Sequence, residues 1–166
     1  MTDTNTAAES LQVAPTGNNG ASFCIATITQ GTGSAFHHRF ITAAGVVGSI
    51  TSSGSSTSFN TTSDYRLKEN VVELAAAIPR LKTLPVYRFN FIGDSDVTVD
   101  GFLAHEAQLV VPESVTGTHN EIDGDGNPIY QGIDQSKLVP LLTAALQEAI
   151  GRIETLETEV AALKGG

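Results

Sequence analysis

Residues 139–164 read VPLLTAALQEAIGRIETLETEVAALK. Apolar residues in this stretch follow one another at alternating steps of three and four positions, which places them in a narrow stripe along one helix face. A helix with only such a stripe is marginal in water, so residues 134–166 are expected to form a coiled-coil helix that packs against partner helices. The stripe alone does not fix the number of helices. We call it the seam, and its members are Val139, Leu142, Leu146, Ala149, Ile153, Leu156, Val160 and Leu163.

Upstream of this helix, residues 63–133 have the texture of a small α/β domain. Tyr87, Phe89 and Phe91 alternate with polar residues, which predicts a strand over residues 85–92 with an aromatic inner face. The other expected elements are a strand over residues 69–74, a short helix over 75–82 with Pro79 in its first turn or breaking it, and a turn that enters a helix over 101–108.

Residues 21–62 alternate short β-prone runs with small residues, and strands are predicted at Phe23–Thr29, Phe36–Thr42 and Val46–Ile50. The break TSSGSST, residues 51–57, is either a flexible linker or an interval between strands that complete their core against identical strands of neighbouring chains. The polar residues 1–20 are expected to form a flexible leader. The predicted fold class is therefore α+β: a β-stranded fibre-stem segment, an α/β domain and a long helix.

Composition excludes several classes of function. The formal charge is −9 and the basic residues are scattered, which disfavours a nucleic-acid partner. Cys24 is the only cysteine, so neither an internal disulfide nor a thiolate metal cluster is possible, and we expect no metal and no cofactor. Neither an apolar run long enough for a membrane span nor a signal peptide is recognisable, which predicts folding in a cytoplasm and no membrane partner.

The stretch Thr62–Val71, TSDYRLKENV, holds the residues most suited to chemistry. A lysine removes the proton of a serine nucleophile when burial keeps the lysine neutral, and Ser63 and Lys68 are candidates for such a pair. A separation of five residues brings two side chains together on neither a regular helix nor a strand. Ser63 must therefore lie at a turn or helix entry, or the base must come from another chain. On spacing alone, an N-capping serine and a solvated lysine are the favoured interpretation.

Residues 63–70 resemble the motif that opens the C-terminal intramolecular-chaperone, auto-processing domain of phage endosialidases, tailspikes and tail fibres. The resemblance continues in order along the chain to the terminal helix, and the strands before the motif look like the stem strands that precede this domain. Its further parts are LKTLPVYRF at residues 81–89, GFLAHEAQ at 101–108, Val111-Pro112 and DQSKLVPLL at 134–142.

The resemblance implies a homotrimer of identical chains that folds the fibre stem upstream and then cuts itself between Thr62 and Ser63. By position in the motif, Ser63 is the nucleophile and Lys68 its partner in a serine endopeptidase with a single turnover. An ester of the Thr62 acyl group on Ser63 is then hydrolysed by water. The cleaved domain is expected to leave a virion tail-fibre precursor that folds in the host cytoplasm. The supporting positions implied by the motif are Asp64, Arg66 and Asn70.

Other interpretations remain open at this point. The domain is alternatively a trimeric foldon that does not cut, or a receptor-binding fibre tip kept on the virion. His105 and Glu106 either line the cleavage site or have a structural role, which is favoured. Asp123–Asn127 has the start of a calcium loop but lacks its glycine and late glutamate, so a hairpin turn is favoured there.

Overall fold

The computed structural model describes residues 33–165, which form two compact units, one ending at Asn70 and one beginning at Val71. The predicted leader over residues 1–20, the strand at Phe23–Thr29 and Cys24 lie outside the described residues. The expected boundary between a stem segment and a processing domain lies at residues 62 and 63, inside the first compact unit, because this unit ends at Asn70. That boundary stays a prediction.

The first unit is an antiparallel sheet of three strands in sequence order: β1 (Ala35–Thr42), β2 (Gly45–Ser53) and β3 (Ser56–Thr61). β2 and β3 pair without interruption from Gly48 with Thr61 to Ser53 with Ser56. The linker explanation for residues 51–57 is thus wrong, because these residues complete two paired strands around a tight turn. Gly54 takes a φ of +56° in that turn, a conformation that glycine adopts without steric cost.

This sheet has almost no core of its own. Within its described strands, only Gly48 and Ser49 are buried. Large apolar side chains on the strands stay open to solvent, and Phe59 is 80% exposed. A three-stranded sheet needs an apolar face buried against something to be stable alone, so this one depends on further packing. The apolar side chains concerned are Phe36, Phe40, Ile41 and Phe59.

The second unit alternates short helices and two-stranded hairpins before one long helix. Pro79 is the third residue of the first helix, so it occupies the first turn, where its missing N–H costs nothing. The predicted strand over residues 69–74 is wrong: this segment is irregular, and Val71 and Val72 are 80% and 85% exposed. The elements are α1 (Ala77–Leu81), β4 (Tyr87–Phe91), β5 (Asp94–Gly101), α2 (Ala104–Val110), β6 (Val115–Thr116), β7 (Gly132–Ile133) and α3 (Val139–Lys164).

The core of this unit lies where α1, α2 and the beginning of α3 meet. Alanines at three contact points, Ala77, Ala107 and Ala145, allow the helices to approach closely, because packing distance depends on side-chain size. Leu141 is only 2% exposed and is the large α3 residue of this core. The buried apolar residues are Ala77, Leu84, Ala107, Val111, Val115, Leu138, Leu141 and Ala145.

The aromatic strand is present but its predicted inner face is only partly buried. β4 pairs with β5, with Phe89 opposite Val99, and the rings of Phe89 and Phe91 meet edge to face with centroids 5.4 Å apart. Phe89 is half-buried, whereas Phe91 is 65% exposed. A two-stranded hairpin has no second layer of its own to cover that face, so the end of the strand stays in solvent.

The long C-terminal helix is confirmed, with a 3₁₀ turn at Gln135–Leu138 before it and Gly165 as its C-cap. Apart from the half-buried Ala149, every seam residue is exposed in the single chain, from Val160 at 45% to Leu163 at 82%. α3 therefore buries Leu141 and Ala145 on one side and leaves the seam unpartnered on another. Among the described residues, no helix combines the length and hydropathy that a membrane span requires.

Candidate self-cleavage site

Thr62, on the upstream side of the predicted cleavage bond, is anchored to β2. Its backbone N–H donates to the carbonyl of Val47 at 3.0 Å, and its hydroxyl donates to the carbonyl of Val46 at 2.8 Å. These bonds continue the pairing of β3 past its last residue. The acyl group of the predicted cleavage bond is thus held by the sheet.

Immediately after Ser63 the chain turns back on itself. Residues Tyr65–Leu67 form a single 3₁₀ turn, in which the Leu67 N–H donates to the carbonyl of Asp64 at 3.1 Å. Lys68 follows in an extended conformation, with its N–H donating to the carbonyl of Tyr65 at 3.0 Å. A tight turn between two extended residues reverses the chain, which is the geometry that the five-residue spacing required.

The turn brings the two predicted chemical groups together within one chain. Lys68 Nζ donates a hydrogen bond to Ser63 Oγ at 2.7 Å. This distance serves proton transfer in either direction, because a neutral amine at the same place accepts the hydroxyl proton. Both side chains lie in exposed residues of the single chain.

Asp64 is the N-cap of the turn, so the N-capping residue is the aspartate and not Ser63. Its Oδ1 accepts from the backbone N–H of Arg66 at 2.9 Å. The Arg66 side chain then binds the same carboxylate with two bonds, from Nε to Oδ1 at 2.9 Å and from Nη2 to Oδ2 at 2.8 Å. These bonds from Arg66 hold the pKa of Asp64 below its ordinary value. The supporting positions Asp64 and Arg66 thus form one clamp around the turn.

Asn70 contributes to the path of the chain after Lys68 through its backbone conformation. Its φ is +52°, a left-handed conformation that asparagine adopts more readily than most residues. It is the last residue of the first unit, so it redirects the chain two residues after Lys68.

His105 and Glu106 belong to α2 in the second unit, and their predicted place beside the cleavage bond stays a prediction. The ring of His105 stacks on that of His119 at a centroid distance of 4.4 Å. Hydrogen bonding to Glu106 raises the pKa of Tyr87, because the carboxylate favours the neutral phenol. Glu106 Oε2 is buried without a hydrogen-bond partner in the described part of the chain. His119 and Tyr87 are distant from α2 in sequence, so no local pattern predicts these two contacts.

The Asp123–Asn127 loop is a hairpin turn, as predicted. Asp123 N–H donates to the carbonyl of Asn127 at 2.9 Å, and Ile122 and Pro128 form a β-bridge across it. The backbone N–H and side-chain amide of Asn127 donate to the Asp123 carboxylate, and the backbone N–H of Asp125 adds a further bond. These bonds lower the pKa of this carboxyl. The loop's own N–H groups therefore occupy the carboxylate.

Comparison with known proteins adds an independent finding. The family of peptidases described as "Chaperone of endosialidase" matches residues 63–116, about a third of the chain. The match begins at Ser63, the serine that Lys68 contacts, and ends with β6. No protein of curated function matches the chain. Residues 63–116 are thus similar to the family described as chaperone of endosialidase.

Proposed function

We propose that the chain assembles as a homotrimer, guides the folding of the β-stranded stem of a phage tail fibre or tailspike, and then cuts its own backbone between Thr62 and Ser63. The observation that carries this proposal is the 2.7 Å contact between Lys68 Nζ and Ser63 Oγ. The contact lies directly beside the bond to be cut, in a chain whose match to the chaperone family starts at the same serine.

The chemistry needs only groups of this chain and one water. Neutral Lys68 takes the hydroxyl proton of Ser63, and the Ser63 oxygen attacks the carbonyl carbon of Thr62. The C–N bond breaks, the Ser63 nitrogen gains the proton, and the Thr62 acyl group is left as an ester on the Ser63 oxygen. Water then hydrolyses this ester to a Thr62 carboxylate and a free hydroxyl. Because the cut destroys the substrate bond, each chain reacts once.

Exposure of the pair supports activation by assembly. An exposed lysine keeps its proton in water, whereas burial disfavours the ammonium form. Apolar side chains around the pair are also uncovered: Tyr65 is 81% and Leu67 is 71% exposed, although both lie between Ser63 and Lys68. A surface of a second copy that covers these side chains would remove water from the pair at the same time. Cleavage would then follow assembly.

Two other surfaces favour assembly from identical chains. The seam of α3 offers an apolar stripe along the helix, and the sheet of the first unit leaves Phe36, Phe40 and Phe59 in solvent. Burial of apolar surface stabilises an assembly in proportion to the area removed from water. Three copies that bring both surfaces together would form a fibre stem joined to a helical bundle, as part of a virion-associated precursor.

Mass spectrometry of the folded, full-length protein tests this proposal. The wild type should yield two fragments, one ending at Thr62 and one beginning at Ser63, whereas Ser63→Ala and Lys68→Ala should both stay full length. Native mass spectrometry should find trimers for all three proteins. A wild-type trimer that stays intact favours the foldon without cleavage, and a Ser63→Ala chain that is still cut at residue 63 contradicts the mechanism.

A further inference from the structure

The Ser63–Lys68 contact depends on a turn that Asp64 holds at its start. Two of the three side chains within the turn are largely exposed, Tyr65 at 81% and Leu67 at 71%, so packing contributes little to its shape. What remains are the backbone bonds and the cap from Asp64 Oδ1 to the Arg66 N–H at 2.9 Å. The aspartate oxygen satisfies a backbone N–H group that would otherwise lack an acceptor in the turn. In a turn of only three residues, the cap is a large part of what fixes Lys68 near Ser63.

The Asp64 carboxylate competes with the Ser63 hydroxyl for the Lys68 ammonium. Attraction between Asp64 and Lys68 contributes to the low pKa of Asp64, although less than the bonds from Arg66 do. An unoccupied carboxylate at this position would bind the Lys68 ammonium and draw it away from Ser63. Arg66 prevents this, because its planar fork engages both carboxylate oxygens, at 2.9 Å and 2.8 Å.

We propose that Asp64 and Arg66 are positioning residues for the Ser63–Lys68 pair. Asp64 fixes the turn that carries Lys68 to Ser63, and Arg66 occupies the Asp64 carboxylate so that the lysine amine stays on the serine hydroxyl. For its effect on cleavage, this inference rests on the self-cleavage proposed above. Neither residue touches the reacting carbonyl in the mechanism.

The two roles give different changes in the pH profile of cleavage. Arg66→Gln frees the carboxylate, which favours the lysine ammonium, so the profile should move about one pH unit upward with an unchanged plateau. Below the plateau this is about a tenfold slower cut at a given pH. Adding Asp64→Asn to Arg66→Gln removes the charge but keeps a capping oxygen, so the profile should return to the wild-type position.

Asp64→Ala tests the contribution of the cap. It removes the carboxylate and the capping oxygen together, so the plateau rate should fall several-fold without an upward shift. Arg66→Lys keeps the charge but has no planar fork, so it should restore only part of the wild-type profile. All variants are compared as full-length chains whose trimers have been verified by native mass spectrometry, which excludes a loss of assembly as the cause.

A crystal structure of the Arg66→Gln trimer gives a readout that does not depend on cleavage. Lys68 Nζ should lie within hydrogen-bonding distance of an Asp64 oxygen and be displaced from Ser63 Oγ. A wild-type chain that stays uncut contradicts the proposed function, while the crystal structure still decides the positioning roles. Wild-type cleavage with an unshifted Arg66→Gln profile, or an Arg66→Gln structure that keeps the Nζ–Oγ contact, overturns the positioning roles alone.

Discussion

Glu148 in α3 accepts a hydrogen bond from the backbone N–H of Ile78 in α1 at 3.0 Å, although the residues are 70 positions apart. The first turn of any helix leaves N–H groups unpaired, and α1 has no side-chain cap from its own N-cap residue, Ala76. Glu148 supplies that missing acceptor from another helix. The bond thus ties the short helix to the long one where the core is formed.

Glu148 should make the stability of the second unit sensitive to acid. The bond from Ile78 holds the pKa of Glu148 below its ordinary value of 4.5, with a further contribution from Arg152. A carboxyl whose pKa is lower in the folded chain than in the unfolded chain contributes its full stability above the unfolded pKa. This contribution is lost as the pH falls through the folded pKa. Glu148→Gln should therefore lower the melting temperature at pH 7, and the difference from wild type should shrink on acidification below about pH 4.5. A difference that stays constant down to pH 3 would contradict this cause.

Adjacent leucines on α3 should have different effects. Leu141 is 2% exposed in the core, whereas Leu142 is 46% exposed in the seam. Leu141→Ala should lower the free energy of unfolding of the second unit by about 2–5 kcal/mol, while Leu142→Ala should change it little but weaken assembly. Denaturation in an Ile153→Asp background separates folding from assembly. Equal losses for the two variants there would show that the division of α3 into two faces is wrong.

A charge in the seam should prevent both assembly and cleavage. Ile153→Asp would bury a carboxylate without a partner in the helical bundle, at a cost that an assembly cannot sustain. Native mass spectrometry should find monomers, and these should stay uncut although Ser63 and Lys68 are present. Thr155→Asp adds the same charge outside the seam and should leave both processes intact. Cleavage of monomeric Ile153→Asp chains at the wild-type rate would rule out activation by assembly.

The serine and the lysine should act within one chain. Their 2.7 Å contact forms without a second copy, so a chain that lacks one of the two has no complete pair. Trimers mixed from Ser63→Ala and Lys68→Ala chains should therefore remain uncut. Co-expression with two affinity tags and mass spectrometry checks this outcome. Cleavage of the Lys68→Ala chains in mixed trimers would mean that the base comes from a neighbour.

Gly48 should matter for cleavage because β3 passes close to its backbone. It pairs with Thr61, and a Cβ at Gly48 would lie 2.9 Å from the Asn60 carbonyl oxygen. Gly48→Ala should push β3 from β2, destabilise the sheet by about 1–3 kcal/mol and loosen Thr62, so that cleavage slows. Gly33→Ala is the matched control, because nothing lies within 4 Å of its Cβ position. Equal cleavage rates for the two variants would show that the pairing of β2 with β3 does not affect cleavage.

Patterns formed by residues close together in sequence predict two of the helices and the family similarity of this protein. The spacing of the seam predicts α3, the turn-to-helix pattern of residues 101–108 predicts α2, and the motif beginning at Ser63 predicts similarity to the chaperone family. Each of these signals depends only on side chains close together in sequence, so it can be recognised without knowing what packs where.

Contacts between distant segments decided the rest. Periodicity assigns Leu142 to the seam, but the burial of Leu141 requires α1 to lie against α3, which is fixed in part by a bond across 70 positions. The segment 69–74 has the composition of a strand, but no partner strand pairs with it in the described structure. Most important, Ser63 and Lys68 meet across a single 3₁₀ turn that begins at the N-cap Asp64, and neither helical nor strand periodicity encodes that turn. The sequence by itself predicted the pair Ser63 and Lys68, and the tertiary structure decided that the two side chains meet within one chain.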